Sequence, residues 1–355
     1  MEVIEEKLWS ILKLTHNGEL NPVSMEYLKQ GLGGFFAKYV YDRDLNFVQF
    51  TKWLGSDIEY ERVDILVLAE NLSKIYHLHR DFESAVLLRK IKLKKMLSDG
   101  KSEKASLEYY ILANWFFEKG NFKEALQNIT LGIKSIDTKN LTKENLKVLI
   151  ESMIMKEQLN MLLPHDTKLI SDNLEKLLRL VIERSMHIST KDSNSLKVRV
   201  YALIVSNNIE KKEYTKAILV GNKAIELIDK EDLNLKTMLK YYLFEKLSYA
   251  YLFEKNHEKA IEISRKALGL KEQLITLPVY SVLVILVESY LAQKEYDEAL
   301  RYAHEANSYV NNSVDKLEYI YEILSKLYSY KGDNKIAKEY QDKLKHLAEG
   351  VKHIV

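Results

Sequence analysis

The 355-residue chain is 46% hydrophobic and 29% charged, a globular composition with enough length for a sizeable core. Only 12 Gly and 3 Pro occur, so the sequence predicts an almost entirely helical protein. The formal charge of +2 does not favour a polyanionic partner, and the lack of cysteine excludes disulfides, thiol nucleophiles and thiolate metal sites.

The N-terminal segment, residues 1–55, predicts four short helices joined by turns at Asn17-Gly18, Gly31 to Gly34 and Asp44, with the last helix spanning residues 45–55. Residues 24–44 are compatible with a helix-turn-helix whose recognition helix is 35–44. The candidate DNA contacts are Lys29, Lys38, Tyr39, Tyr41, Arg43 and Lys52. Acidic and basic residues are nearly balanced here, so a plain helical cap fits equally well.

Neither a secretory signal nor a membrane span is expected. Acidic residues precede the first apolar run, "LWSILKL", and the longest apolar run, "VYSVLVILV" from residue 279, is too short to cross a bilayer. These features predict a cytoplasmic protein.

A repeated helical corner dominates the rest of the chain, residues 56–355. "ANWFFEKGNFKEAL" at 113–126 recurs as "SYAYLFEKNHEKAI" at 248–261 and "VESYLAQKEYDEAL" at 287–300. The alanine after each turn serves as an anchor, and the anchors are Ala85, Ala125, Ala217, Ala260, Ala299 and Ala337. Their intervals are about 40 residues, apart from one of about twice that length, which predicts a degenerate repeat between residues 140 and 190.

Small or slim side chains stand twelve residues before the anchors, and aromatic residues commonly stand nine before them. Most positions seven residues after an anchor are also small, as in Gly132, Ala224 and Ala267. Two helices cross closely only where both carry small side chains, so each unit predicts a helical hairpin.

This spacing resembles the tetratricopeptide repeat, with units longer by about one helical turn. The fold class predicted is all-α, a right-handed α-solenoid of such hairpins with a C-terminal capping or dimerisation helix. The resemblance implies a concave face lined by positions 18, 15 and 11 residues before each anchor. From these positions and their neighbours we predict that a peptide contacts Asn114, Arg199, Ser206, Asn207, Tyr242, Glu245, Tyr249 and Glu288.

Three stretches, "FAKYVYDRDLNFVQF" at 36–50, "EKGNFKEAL" at 118–126 and "VRVYALIVSNNIEKKEYTKAI" at 198–218, are similar to the bacterial peptide-pheromone receptors of the Rap, NprR, PlcR, PrgX and Rgg group, and most of all to phage arbitrium receptors. The resemblance implies a homodimeric quorum-sensing regulator of lysis and lysogeny that binds a short signalling peptide and changes its binding to a DNA operator. A repeat scaffold without a small ligand, or a Rap-type regulator of a protein partner, stays open as an alternative.

No catalytic, cofactor-binding or metal-binding motif occurs, so we expect a protein that is not an enzyme and needs no cofactor or metal. The densest basic run, "RKIKLKKMLSDGKSEK" at 89–104, predicts a solvated helix face; a phosphate-contacting or docking surface is the alternative.

Overall fold

The computed structural model describes residues 19–20, 45–46, 70, 73–74, 77, 80, 82–138, 140–164, 166–230, 236–270, 279–310 and 313–352. By their internal contacts the residues fall into two compact units, Met1–Pro164 and His165–Val355. The predicted domain boundary at residue 55 and all six predicted DNA contacts, Lys29, Lys38, Tyr39, Tyr41, Arg43 and Lys52, lie outside the described residues.

The described part of the first unit contains two short strands and four helices with defined bounds. The strands β1 (Glu19–Leu20) and β2 (Leu45–Asn46) pair antiparallel, with Glu19 opposite Asn46. The predicted fourth helix therefore does not begin at Leu45, because its backbone groups bond to another strand instead of to the next helical turn. The helices are α1 (Phe82–Ser98), α2 (Ser102–Glu118), α3 (Phe122–Lys134) and α4 (Lys143–Leu162).

The described part of the second unit consists of helices and one short 3-10 turn, Ser185–His187. The helices are α5 (Thr167–Glu183), α6 (Thr190–Glu210), α7 (Tyr214–Lys230), α8 (Lys236–Phe253), α9 (His257–Leu268), α10 (Val279–Ala292), α11 (Tyr296–Asn307), α12 (Val314–Tyr330) and α13 (Asn334–Lys352). The described part of the chain is helical apart from the two-residue strands, as the composition predicts. No helix in the described ranges combines the length and the apolarity needed to cross a bilayer.

The anchor alanines confirm the predicted hairpins. All six are almost completely buried, as are the slim residues twelve positions before them, such as Ala113, Val205 and Ser248. Each of α2, α6, α8, α10 and α12 packs against the helix that follows it, which completes a hairpin. The predicted degenerate repeat at 140–190 contains α4 and α5, and Asp166 caps α5 by accepting a hydrogen bond from the Lys168 backbone N–H at 2.8 Å.

The corner of each hairpin has a left-handed residue five positions before the anchor. These residues are Arg80, Gly120, Lys212, Lys255, Lys294 and Gly332, with φ between 59° and 82°. At the Lys255 corner the N–H of Asn256 donates to the Tyr251 carbonyl at 2.9 Å, the bond of a Schellman motif. The Asn256 side chain then caps α9, so one residue ends the first helix and the next begins the second.

Small residues bring the second helix of a hairpin close to neighbouring helices, as predicted. A Cβ added to Gly132 would lie 3.0 Å from the Tyr109 Cβ of α2, and one added to Gly221 would lie 2.6 Å from a Leu247 methyl group of α8. The aromatic "WFF" stretch supplies wedge packing, since Trp115 and Phe116 are both buried.

The basic run at 89–104 is only in part the predicted solvated helix face: Lys90, Lys94, Lys101 and Lys104 are exposed, but two other cations are not. Arg89 and Lys92 are buried, and both bind the buried carboxylate of Glu108, at 2.6 Å and 2.5 Å. Lys92 also reaches Glu70 at 2.7 Å, and Lys95 pairs with Asp99 at 2.5 Å. Because α1 turns Arg89 and Lys92 toward Glu108 of α2, these two cations are unavailable to an external phosphate.

Candidate functional site

Seven of the eight predicted peptide contacts lie in the second unit, and Asn114 lies on α2 of the first. The seven are carried by α6 (Arg199, Ser206 and Asn207), α8 (Tyr242, Glu245 and Tyr249) and α10 (Glu288). These first helices of successive hairpins are neighbours: α6 contacts α8, and α8 contacts α10. Three consecutive hairpins therefore contribute side chains to one candidate surface.

A row of hydrogen bonds links each first helix of this surface to the next. We call it the hydroxyl–carboxylate row, and it consists of Tyr242 with Ser206, Ser281 with Glu245, and Tyr319 with Glu288. The Tyr242 and Ser206 hydroxyl oxygens are 2.5 Å apart, and the Ser281 hydroxyl donates to Glu245 Oε1 at 2.6 Å. In each pair, one hydroxyl comes from the position eighteen residues before an anchor, which shows that the repeat geometry sets the pairing.

Two carboxylates in the row, those of Glu245 and Glu288, accept hydrogen bonds from neutral hydroxyl groups. Burial, followed by the hydrogen bond to Glu288, raises the pKa of Tyr319, so its phenol stays protonated and acts as a donor. Burial and then the charge of Glu245 raise the pKa of Tyr241 in the same way. The carboxylates of Glu245 and Glu288 are therefore bonded to neutral hydroxyl donors. A cationic ligand group could displace these donors, because charge-assisted hydrogen bonds are roughly twice as strong as bonds between neutral groups.

A neighbouring lysine partly compensates the negative charge of Glu245. The Lys246 ammonium lies 3.7 Å from Glu245 Oε2 and 5.3 Å from the ring centroid of Tyr242. The ammonium group covers one face of the Tyr242 ring. Because it is positively charged, it favours an anionic or neutral ligand group beside Tyr242.

Three aromatic rings in mutual contact continue the α8 surface beyond Glu245. The aromatic cluster consists of Tyr214, Tyr249 and Phe253, with ring centroids 4.5 Å apart for Tyr249 and Phe253 and 5.2 Å apart for Tyr214 and Phe253. Phe253 is 49% exposed and Tyr249 36% exposed. Burial, and then Tyr214, raise the pKa of Tyr249, so the phenol of Tyr249 stays neutral.

The burial of Asn207 does not fit its predicted role as a peptide contact. It is only 2% exposed, and its Nδ2 donates to the Ser171 hydroxyl of α5 at 2.7 Å. The position faces the preceding helix because it is one residue beyond the Ser206 position, a rotation of about 100° around α6.

The other two predicted contacts are half-buried. Asn114 donates from Nδ2 to the Tyr110 carbonyl of its own helix at 2.9 Å. Arg199 stands on α6 at the same repeat position as Tyr242, Ser281 and Tyr319.

Four residues of this surface were missed by the sequence prediction: Ser281, Tyr319, Tyr214 and Phe253. Ser281 and Tyr319 could have been found by extending the eighteen-residue spacing to the last two hairpins. Phe253 stands one helical turn after Tyr249, a second detectable signal. Tyr214 begins a second helix, and only the packing of α7 beside α8 brings it to the cluster.

An open cleft of about 470 Å³ lies on the opposite side of α8. Phe244 and Leu247 form its floor, and they are rotated by about half a turn from Tyr242 and Tyr249. Its charged groups are already paired: Asp229 binds Lys240 at 2.5 Å, and Lys266 binds Glu262 at 2.7 Å. The cleft is separate from the candidate site.

Comparisons with known proteins bear on the fold. No family model and no curated protein matches the chain. Among solved structures, a STAND ATPase with a tetratricopeptide repeat sensor, PH0952 from Pyrococcus horikoshii, superposes with a TM-score of 0.62 at 17% identity, over 98% of this chain and 52% of that one.

Two further structures resemble the chain less closely. The apo form of RapI has a TM-score of 0.51 at 13% identity, over 81% of this chain and 99% of RapI. The Cut9–Hcn1 assembly of the APC/C has a TM-score of 0.51 at 15% identity, over 83% of this chain and 51% of that one. At these identities the likeness establishes the fold alone: the chain has the fold of the tetratricopeptide-like helical-repeat proteins.

Proposed function

We propose that this protein is a cytosolic peptide-sensing regulator rather than an enzyme. A short signalling oligopeptide binds along α6, α8 and α10 of the second unit and changes the protein's binding to its target. The observation that carries the proposal is the hydroxyl–carboxylate row, which aligns hydroxyl and carboxylate groups on neighbouring first helices. An extended peptide needs such partners for its backbone amides and for a basic side chain.

The proposed mechanism is a shift between conformations. A basic ligand group competes with the Ser281 hydroxyl for Glu245 or with the Tyr319 hydroxyl for Glu288. Because these bonds join one hairpin to the next, their loss changes how the hairpins pack. A ligand that binds one packing better moves the equilibrium by that difference in affinity.

Binding of synthetic hexapeptides that each carry one arginine, measured by titration calorimetry and thermal melting, tests the site. Ligand at one hundred times its dissociation constant should stabilise the protein by about 2.7 kcal/mol. Glu245→Gln should weaken binding by about 10- to 100-fold, because a charge-assisted hydrogen bond is lost. Glu226→Gln is the matched control, since Glu226 pairs with Lys230 on the second helix α7. Equal binding by both variants would reject the site.

The target is proposed to be a DNA operator, bound by a homodimer through residues 1–55. A gel-shift assay with DNA upstream of the protein's own gene, with and without peptide, tests this part. Arg43→Ala should weaken the shift uniformly across sequences if Arg43 binds phosphate. Light scattering during size-exclusion chromatography measures the oligomeric state.

The second candidate is a Rap-type regulator that binds a protein partner instead of DNA. The shared fold with RapI over nearly the whole length of RapI favours it. Peptide binding without any DNA shift would support this candidate over the first.

A further inference from the structure

We propose that the aromatic cluster is a second subsite of the same surface, and that it accepts an aromatic or large aliphatic side chain of the ligand. This inference rests on the proposed function, because it assumes that a peptide occupies the candidate site. It adds a spacing rule: the apolar residue stands two positions from the ligand's basic residue.

The exposure of the cluster is the first argument. Phe253 and Tyr249 expose 49% and 36% of their surface although their rings contact each other, so a continuous apolar patch faces solvent. Such patches commonly mark binding surfaces, and aromatic anchors contribute much of the binding energy at them.

Continuity with the hydroxyl–carboxylate row is the second argument. Glu245, Tyr249 and Phe253 follow one another at intervals of one helical turn on α8, so the carboxylate and the two rings form one stripe. A ligand that reaches Glu245 and follows this stripe meets the rings next. The nearest carboxylate along the chain, Glu254, accepts a hydrogen bond from Thr215 at 2.7 Å, which favours an uncharged occupant for the cluster.

The spacing rule follows from the dimensions of the two chains. One helical turn from Glu245 to Tyr249 rises about 6 Å. Two residues of an extended peptide span about 6.6 Å, and side chains two positions apart point to the same side. A basic residue at Glu245 therefore places the side chain two positions away beside Tyr249, whose ring centroid lies 4.5 Å from that of Phe253.

Selection from a phage-displayed random hexapeptide library tests the inference. Wild-type protein should enrich peptides with a basic and an apolar residue two positions apart. Phe253→Ser should lose the apolar preference but keep the basic one, and a synthetic wild-type winner should bind this variant about tenfold more weakly. Glu245→Gln should show the opposite pattern.

Tyr330→Ser is the matched control. Tyr330 is also an exposed ring at the end of a first helix, stacked on Tyr296 at 5.3 Å, but it belongs to a different hairpin junction. Its selection profile should equal that of wild type. Phe253→Leu, which keeps an apolar side chain, should retain the preference if Phe253→Ser proves poorly folded by circular dichroism.

The outcomes separate the two proposals. An apolar preference that survives in Phe253→Ser, or an apolar residue enriched at another spacing, overturns the subsite while the basic preference still supports the site at Glu245. A library that yields no enriched peptide on wild-type protein contradicts the proposed function itself.

Discussion

The second helix of the first described hairpin corner, α1, meets the next hairpin with side chains very different from those at equivalent positions of α7, α9 and α11 in the second unit. Four and seven residues after the anchor, α1 of the first unit carries Arg89 and Lys92, whereas α7, α9 and α11 of the second unit carry only small residues. These small residues are Gly221 and Ala224, Ser264 and Ala267, and Ala303 and Ala306. One repeat geometry is thus compatible with a buried ion cluster or with close backbone contact.

The two kinds of helix crossing are stabilised in different ways. In the second unit, small side chains let helices approach and gain dispersion contacts without desolvating a charge. In the first unit, Glu108 compensates two buried cations, and Arg89 also lies 5.3 Å from the Trp115 ring centroid. Burial raises the pKa of Glu70, but hydrogen bonds from Lys74 and Lys92 outweigh it and lower the pKa to about 2. Crossings of this kind depend on every partner being present.

The largest expected effect is the loss of the carboxylate in the first unit. Glu108→Gln leaves Arg89 buried without a counter-charge and Lys92 paired with Glu70 alone, so the free energy of unfolding should fall by about 3–5 kcal/mol. Urea unfolding followed by circular dichroism measures it. The triple variant Arg89→Met, Lys92→Leu, Glu108→Leu should be far less destabilised, because no unpaired charge is left. If Glu108→Gln lowers the free energy of unfolding by less than about 1 kcal/mol, the ion cluster is accessible to water in solution.

An intermediate effect is expected at the close crossing of the second unit. Gly221→Ala places a Cβ 2.6 Å from a Leu247 methyl group, so Leu247 must move. We expect overpacking of about 1–3 kcal/mol to exceed the gain in helix propensity of about 1 kcal/mol. Gly269→Ala is the control, because its Cβ would meet neighbours only at 3.5 Å or more. Thermal unfolding of both variants measures the balance between overpacking and helix propensity. A more stable Gly221→Ala protein would contradict the close crossing.

The smallest effect concerns the corners. The left-handed residue is Gly120 at one corner of the first unit and Lys255 at one corner of the second. Lys255→Gly should stabilise the protein by about 0.5–1 kcal/mol, because glycine adopts positive φ without the steric cost of a Cβ. Gly120→Ala should destabilise it by a similar amount. In a denaturant titration, the two variants should change the free energy of unfolding in opposite directions. A change in the same direction would argue against a shared corner geometry.

The helical hairpins could be predicted from the amino-acid sequence. Anchors such as Ala217 and Ala260 revealed the period, because close helix crossings tolerate only small residues and this limit is visible without coordinates. The same periodicity placed Tyr242, Glu245, Tyr249 and Glu288 on neighbouring first helices, and it would have found Ser281 and Tyr319 as well.

Which polar groups are buried and paired inside the protein became visible only in the folded structure. Asn207 differs from Ser206 by one position, yet it is buried against α5, while the basic run at 89–104 holds two buried cations. Tyr214 joins the aromatic cluster through the packing of α7 beside α8. A spacing rule reports which way a residue points from its own helix. What it meets there depends on a neighbouring helix that is distant in sequence, because hydrogen bonds and ion pairs form with whichever group lies within reach.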